Sequence, residues 1–375
     1  MPVPVGRLIG AGFAIALAAL AAGGGTARAL VASDAASPTI DLSRPLGSPA
    51  GDLPAGPRSN GTAVLPDGRI LTPAGKEIPV ELQPLDEVMS HDGRRLYVSS
   101  EGFDDDPTTT SFGNGTNKRY IDVIDTRTGT VAAKVRDDAL QFGMVESLDG
   151  TRLYVSNGAS DSIGIIDRAT NGTFTVEKST IPLDPAEKQL HVYPWGLAMS
   201  PDGKRLYAVG FISNELYTVD IDPADGPPHV IATAPTGEYP FGVVVSRDGT
   251  RAYVSNWGEY NPGDLEYNTT NINSAVNSPI VPPPATIGGY NTPASSSVWS
   301  YDLRAGIPDL TVETPIGYQL NGSSIDGGSE PSALALSPDG RTLAVTSSND
   351  DLVELLDTTT TESSTELPSL AGGLG

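Results

Sequence analysis

The chain has 375 residues, with 23 Lys plus Arg against 46 Asp plus Glu and a formal charge of −23. That balance argues against a nucleic-acid or anionic-membrane partner, because no surplus of cations exists to neutralise phosphates. Forty-two glycines and 32 prolines are too many breakers for a helical bundle. The absence of cysteine excludes disulfides, thiol catalysis, iron–sulfur clusters and Cys-based zinc sites. His91, His191 and His229 are the only histidines, which speaks against His-rich metal catalysis.

Residues 8–22 (LIGAGFAIALAALAA) form an apolar run behind a single cation, Arg7. The run is shorter than the roughly 20 residues of a membrane span and suits the core of a signal peptide. Ala27-Arg28-Ala29 supplies a small-x-small cleavage pattern. The expectation is a signal peptide over 1–29, a mature chain from about Leu30, and export to the periplasm, cell envelope or medium. No membrane span is expected after cleavage. Residues 30–61 are rich in Pro, Ser and Gly and lack hydrophobic periodicity, so they read as a linker.

From residue 62 one phrase returns. An apolar run is followed by Asp-Gly, a basic or polar residue, and Leu-Tyr-Val-Ser-Asn or a near copy. The copies are VMSHDGRRLYVSS (88–100), VESLDGTRLYVSN (145–157), LAMSPDGKRLYAVG (197–210), VVVSRDGTRAYVSN (243–256) and LALSPDGRTLAVTS (334–347). Short alternating strands at such a period are the signature of a β-propeller blade. Asp-Gly reads as the tight turn of a hairpin, since Gly accepts φ > 0 and Asp tolerates it. Alternation on either side predicts one inward face per strand.

A third strand follows in each unit and ends in Asp125, Asp167, Asp220, Asp302 or Asp357, placed to cap the next turn with its carboxylate. A fourth strand is expected after it, as in 130–135 and 174–179. Residues 258–296, rich in Asn, Pro, Gly, Ser and Thr, form a loop insertion between the second and third strands of the fourth unit. The predicted fold is all-β: a propeller of four-stranded blades over 62–367, followed by a tail at 368–375. Five repeats and a partial N-terminal unit at 62–82 are visible, implying six or seven blades if the ring is complete.

These residues resemble the YVTN β-propeller repeat family, named for the strand that reads Tyr-Val-Ser-Asn at 154–157 and 253–256. Propellers of that family commonly have seven blades. The opening LPDGRILTPAGKEIPV (65–80) is similar to exported bacterial proteins in which such a propeller precedes a phosphoesterase domain of the alkaline-phosphatase superfamily. The resemblance implies a phosphoesterase domain or subunit as a partner. The Asp and His ligands and Ser or Thr nucleophile that this chemistry needs do not occur together in this sequence, and no cofactor is expected.

Two clusters are candidates for function. Asp104, Asp105 and Asp106 form an acidic run able in principle to hold Ca²⁺ through oxygens, although their spacing is not that of an EF-hand; a solvated loop is the simpler reading. The second is a collar. Phe142, Trp195 and Phe241 occupy the entry of the innermost strand in three successive units, with His191, Tyr193, Glu238, Tyr239 and Glu330 just upstream. Aromatics and a few polar groups converging at a channel mouth suit a small molecule or a protein partner, and equally suit plugging the channel. Asn60, Asn114, Asn171, Asn268 and Asn321 begin glycosylation-type triplets that turn chemistry explains as well. The function expected from sequence is an exported binding or scaffold propeller without chemistry of its own. The alternative is an enzyme, either a lactonase-like propeller or the propeller portion of a phosphoesterase.

Overall fold

The repeated Ser-x-Asp-Gly phrase closes a hairpin in all five units. In the third, the Ser200 hydroxyl donates to Asp202 Oδ1 at 2.6 Å, and that oxygen accepts the Lys204 N–H at 3.1 Å. The Gly203 N–H reaches the Ser200 carbonyl at 2.9 Å. Gly93, Gly150, Gly203, Gly249 and Gly340 all lie at φ between 67° and 72°. The Asp does not share this geometry, contrary to the simplest reading of Asp-Gly. It keeps negative φ and works through its side chain as an acceptor, an Asx-type turn. Asp202→Ala should cost about 1 kcal/mol, the value of a turn carboxylate with two donors, measured as a lower urea midpoint at unchanged slope.

The computed structural model describes residues 51, 53–65, 68–72, 75–81, 83–100, 118–183, 191–258, 296–316, 330–348 and 352–359. The chain divides into two units, one of them Gly23–Pro79. There three short strands, β1 (Gly56–Pro57), β2 (Ala63–Val64) and β3 (Ile70–Leu71), pair antiparallel in their own sheet.

The larger unit is the propeller, with five antiparallel sheets among the described residues. Blade 1 holds β4 (Pro84–Met89), β5 (Arg95–Ser100), β6 (Tyr120–Asp125) and β7 (Thr130–Arg136). Blade 2 holds β8 (Met144–Glu146), β9 (Arg152–Asn157), β10 (Ser162–Arg168) and β11 (Phe174–Val176), and β12 (Ile181–Pro182) pairs β10 again. The expected strand at 174–179 is therefore shorter, ending at Val176, and a second short strand follows beyond it at Ile181–Pro182. Blade 3 holds β13 (Pro194–Met199), β14 (Arg205–Gly210), β15 (Glu215–Asp220) and β16 (His229–Pro235). Blade 4 holds β17 (Pro240–Val245), β18 (Arg251–Asn256), β19 (Ser297–Asp302) and β20 (Asp309–Pro315). Blade 5 has three described strands, β21 (Pro331–Leu336), β22 (Thr342–Ser347) and β23 (Leu352–Asp357).

Burial departs from the one-sided alternation expected of the second strands. β9, β14 and β18 are buried at every position after the first, because each blade is covered on both faces. Alternation persists, but it sorts neighbours. Leu206 and Ala208 pack with Tyr154 and Ile165 of blade 2, while Tyr207 and Val209 pack with Ala252 and Val254 of blade 4. Each of the buried Leu, Ile and Val side chains among them contributes about 1.5–3 kcal/mol relative to exposure.

Between blades 1 and 2, buried Glu146 accepts from the Tyr97 hydroxyl at 2.8 Å and the His91 N–H at 2.8 Å. Burial and this carboxylate push the Tyr97 hydroxyl up to about 12. The third-strand aspartates cap their turns at Asp125, Asp220, Asp302 and Asp357, whereas Asp167 holds the Arg152 guanidinium. Asn60 and Asn171 accept the N–H groups of Thr62 and Thr173 in turns. Asn114, Asn268 and Asn321 lie outside the described residues. So do 1–29 and the cleavage pattern in them. No described helix is long and apolar enough to cross a membrane.

Candidate functional site

Each innermost strand is entered through the same strained dipeptide in four blades. Gln83, Tyr193, Tyr239 and Glu330 have φ of 56°, 52°, 49° and 50°, and each precedes a proline. A non-glycine residue in the left-handed region costs of order 1–3 kcal/mol, and proline disfavours helical geometry in the residue before it. The position persists because flanking groups hold it. Asp161 Oδ1 accepts the N–H groups of Val192 and Tyr193, both at 2.9 Å. Asn214 Oδ1 accepts the Tyr239 N–H at 2.9 Å. The carbonyls of Tyr193, Tyr239 and Glu330 accept the N–H groups of Phe211, Trp257 and Ser348, the residues just past the second strands. Asp161 and Asn214 are themselves at positive φ, 47° and 54°. Hence a hairpin of one blade clamps the entry of the next.

This geometry gathers aromatic rings at one end of the sheets. Phe142 stacks on Trp195 with centroids 4.8 Å apart and meets Phe241 edge-on at 4.9 Å. Tyr193 lies 6.0 Å from Trp195, and Tyr239 lies 5.0 Å from Phe211. Phe211 also stacks on Trp195 at 5.0 Å, and Trp257 is 5.7 Å from Phe241. All seven rings are half-buried, so the cluster is packed within and presents an outer surface. The indole Nε1 atoms of Trp195 and Trp257 are enclosed and make no hydrogen bond among the described residues, which is uncommon for a buried indole.

Nothing in the repeat pattern singles out Phe211 and Trp257. The signal exists: antiparallel pairing puts the residue after a second strand beside the entry of the first, so the residue following Tyr-Ala-Val-Gly or Tyr-Val-Ser-Asn belongs to the same end.

His191 stands beside the rings through Asp161. Its Nδ1 lies 2.7 Å from Asp161 Oδ2, while the imidazole is 64% exposed. Glu238 precedes Tyr239, and its carbonyl accepts the Gly258 N–H at 3.0 Å. Glu330 occupies the position that Tyr193 and Tyr239 hold in their own blades, and its Oε2 accepts the Ser348 hydroxyl at 3.2 Å. Asp104, Asp105 and Asp106 lie outside the described residues. Among the described residues no group of three or more His, Asp or Glu gathers to hold a metal ion.

Comparison with known proteins agrees with this architecture. Residues 140–261 match the model of the family described as "Lactonase, 7-bladed beta-propeller", a stretch that runs from the entry of blade 2 into blade 4 and contains all seven rings. No curated protein gives a match. Among solved structures, a functionally unknown protein from Desulfotomaculum acetoxidans aligns with TM-score 0.51 and 11% identity over 77% of this chain and 72% of its own. The periplasmic gluconolactonase of Pseudomonas aeruginosa gives 0.49 and 16% over 83% and 75%. Hydrazine synthase of Kuenenia stuttgartiensis gives 0.44 and 19% over 78% and 84%. At such identities likeness speaks for the fold alone. The chain is a β-propeller, and its middle blades are similar to those of the lactonase propeller family.

Proposed function

We propose that the ring cluster binds a small cyclic ester and that His191 activates the water that opens it. The observation that carries this reading is the Asp161 bridge: one carboxylate holds the His191 imidazole and the backbone of Tyr193 in the cluster. With Nδ1–H donated to Asp161, Nε2 is left as a proton acceptor, the arrangement of an oriented general base. Water oxygen attacks the lactone carbonyl as its proton passes to His191 Nε2. The acyl C–O bond of the ring then breaks, and the proton moves to the departing alkoxide, leaving a hydroxy acid. The half-buried rings supply an apolar surface against which a small ring can pack. The family match over 140–261 supports the same class of substrate.

Glucono-δ-lactone is a suitable probe, followed by proton release against the enzyme-free rate. The native chain should exceed that rate. His191→Ala should lower kcat about 10²-fold, the usual share of a general base. Trp195→Ala should chiefly raise KM, by roughly tenfold or more for a lost apolar anchor. Turnover equal to the blank, with lactone still quenching tryptophan fluorescence, would instead support the second reading, a binding module without chemistry. The observation behind that reading is the closeness of the rings to one another, which makes them as much a packing device as a pocket. Trp195 and Trp257 are two of the three tryptophans, and Trp299 is buried between blades 3 and 4, so quenching reports mainly on the site.

A further inference from the structure

The cations of blades 2, 3 and 4 are sorted by end. The seven rings come from blades 2, 3 and 4. In those blades Arg152, Arg168, Lys204, Arg205, Arg247, Arg251 and Arg304 all lie at the Asp-Gly hairpin end, in or beside its turns. The Arg168 and Arg205 guanidiniums bond the carbonyls of Gly150 and Gly306 there. Lys178 lies on the outer path between β11 and β12. The opposite end, where the rings gather, carries Asp161, Glu215, Glu238 and Glu330, while Asp137 at the edge of blade 1 has Arg119 and Arg136 beside it. In the sequence linking strands at that end between 137 and 330, Lys188 is the single cation, and it lies outside the described residues. A six-residue strand spans about 20 Å, more than twice the Debye length of about 8 Å at physiological salt. The arginines of the hairpin end are thus screened from the rings.

Resting on the lactone reading above, we infer that this site selects its substrate by charge: it takes an uncharged sugar-type lactone and rejects one bearing a phosphate or carboxylate. Recognition of phosphate calls for Arg, Lys or a helix N-terminus. The described site offers aromatic faces, phenol groups and carboxylates. An anion brought there loses hydration and meets like charge. A neutral ring loses little and gains the stacked surface. Glu238 and Glu330 are assigned as specificity-determining residues, because they flank the cluster at the entries of blades 4 and 5.

The test compares a neutral aldono-δ-lactone with its 6-phosphate as substrates. The corresponding neutral lactam and its 6-phosphate, which ester chemistry does not open, are compared as ligands by tryptophan quenching. The neutral member of each pair should be preferred by about tenfold or more at low salt, a margin that shrinks as salt screens the carboxylates. Glu238→Gln with Glu330→Gln should narrow the margin severalfold. If neither lactone turns over but the lactams keep this order, the lactonase reading fails and the charge selection stands. Equal or tighter use of the phosphorylated pair overturns the inference, as does the absence of quenching by either lactam.

Discussion

Replacing Gly143 by alanine is expected to destabilise the propeller by about 2–4 kcal/mol, a large penalty for the addition of one methyl group. A Cβ at that position would lie 2.2 Å from the Trp195 carbonyl oxygen, 3.0 Å from Leu197 N and 3.1 Å from Gly196 Cα. All three are backbone atoms and cannot swing aside. The Gly143 N–H also donates to the Trp195 carbonyl at 3.0 Å, so retreat breaks an inter-blade hydrogen bond. Overpacking costs about 1–3 kcal/mol, and the lost bond adds about 1 kcal/mol. The equivalent positions form a graded series: at Gly196 the nearest atom is the Phe241 carbonyl oxygen at 2.6 Å, and at Gly242 the Ser332 carbonyl oxygen at 2.8 Å. Urea unfolding of the three alanine variants should rank them 143, 196, 242 in decreasing cost. A Gly143→Ala midpoint equal to that of the native chain would contradict the close approach of these strands. The same variant displaces the Trp195 carbonyl, so the ring cluster should loosen with it.

The second large effect is expected at Asp86, which stands in blade 1 where the other blades have Gly143, Gly196, Gly242 and Ala333. Its Oδ2 accepts the Met144 N–H at 3.0 Å, linking blades 1 and 2. Burial raises its carboxyl to about 7, against the lowering influence of the backbone N–H groups of Met144 and Glu87. An unfolded Asp titrates near 3.9, so between about pH 4 and 7 the folded chain holds more protons than the unfolded one. Stability must therefore fall as pH rises through that window and level off above it. Three units would correspond to about 4 kcal/mol. The residue keeps some contact with water, which reduces the expected loss to about 2 kcal/mol. Asp86→Asn retains an acceptor for Met144 without the charge. It should be the more stable chain at pH 8 and equal to the native one at pH 4. Parallel pH profiles for the two chains would sink the assignment. Buried Asp137 is raised in the same sense, so some of the slope persists in the variant. The hairpin aspartates, held low by Ser hydroxyls and N–H groups, act only at more acid pH.

The blade pattern is legible because each unit repeats its own punctuation. Ser-x-Asp-Gly marks the hairpin, the Tyr-Val run marks the second strand, and a third-strand Asp marks the next turn. What alternation does not reveal is how many faces are covered, since Tyr207 and Leu206 are both apolar and only the flanking blades decide which neighbour each meets. At the site, Phe142, Trp195 and Phe241 stand out because they recur at one register. Phe211 and Trp257 do not, because no repeat letter marks the residue after a strand. Asp161 is invisible for another reason: its role depends on a left-handed turn beside Gly158–Ser160, and nothing in GASDS announces that a carboxylate there will reach two N–H groups and an imidazole thirty residues on.

No blade owns the ring cluster. Phe142 belongs to the second, Tyr193, Trp195 and Phe211 to the third, and Tyr239, Phe241 and Trp257 to the fourth, while Asp161 of the second sets the entry of the third. Repeat folds of this kind draw stability from intrinsic unit terms and nearest-neighbour interfaces, so their units can separate singly. A molecule seated on rings from three blades binds only when two consecutive interfaces are closed together. Its occupancy welds otherwise separable contacts into one opening event, and hydrogen exchange in blades 2, 3 and 4 should converge on a single rate when the site is filled.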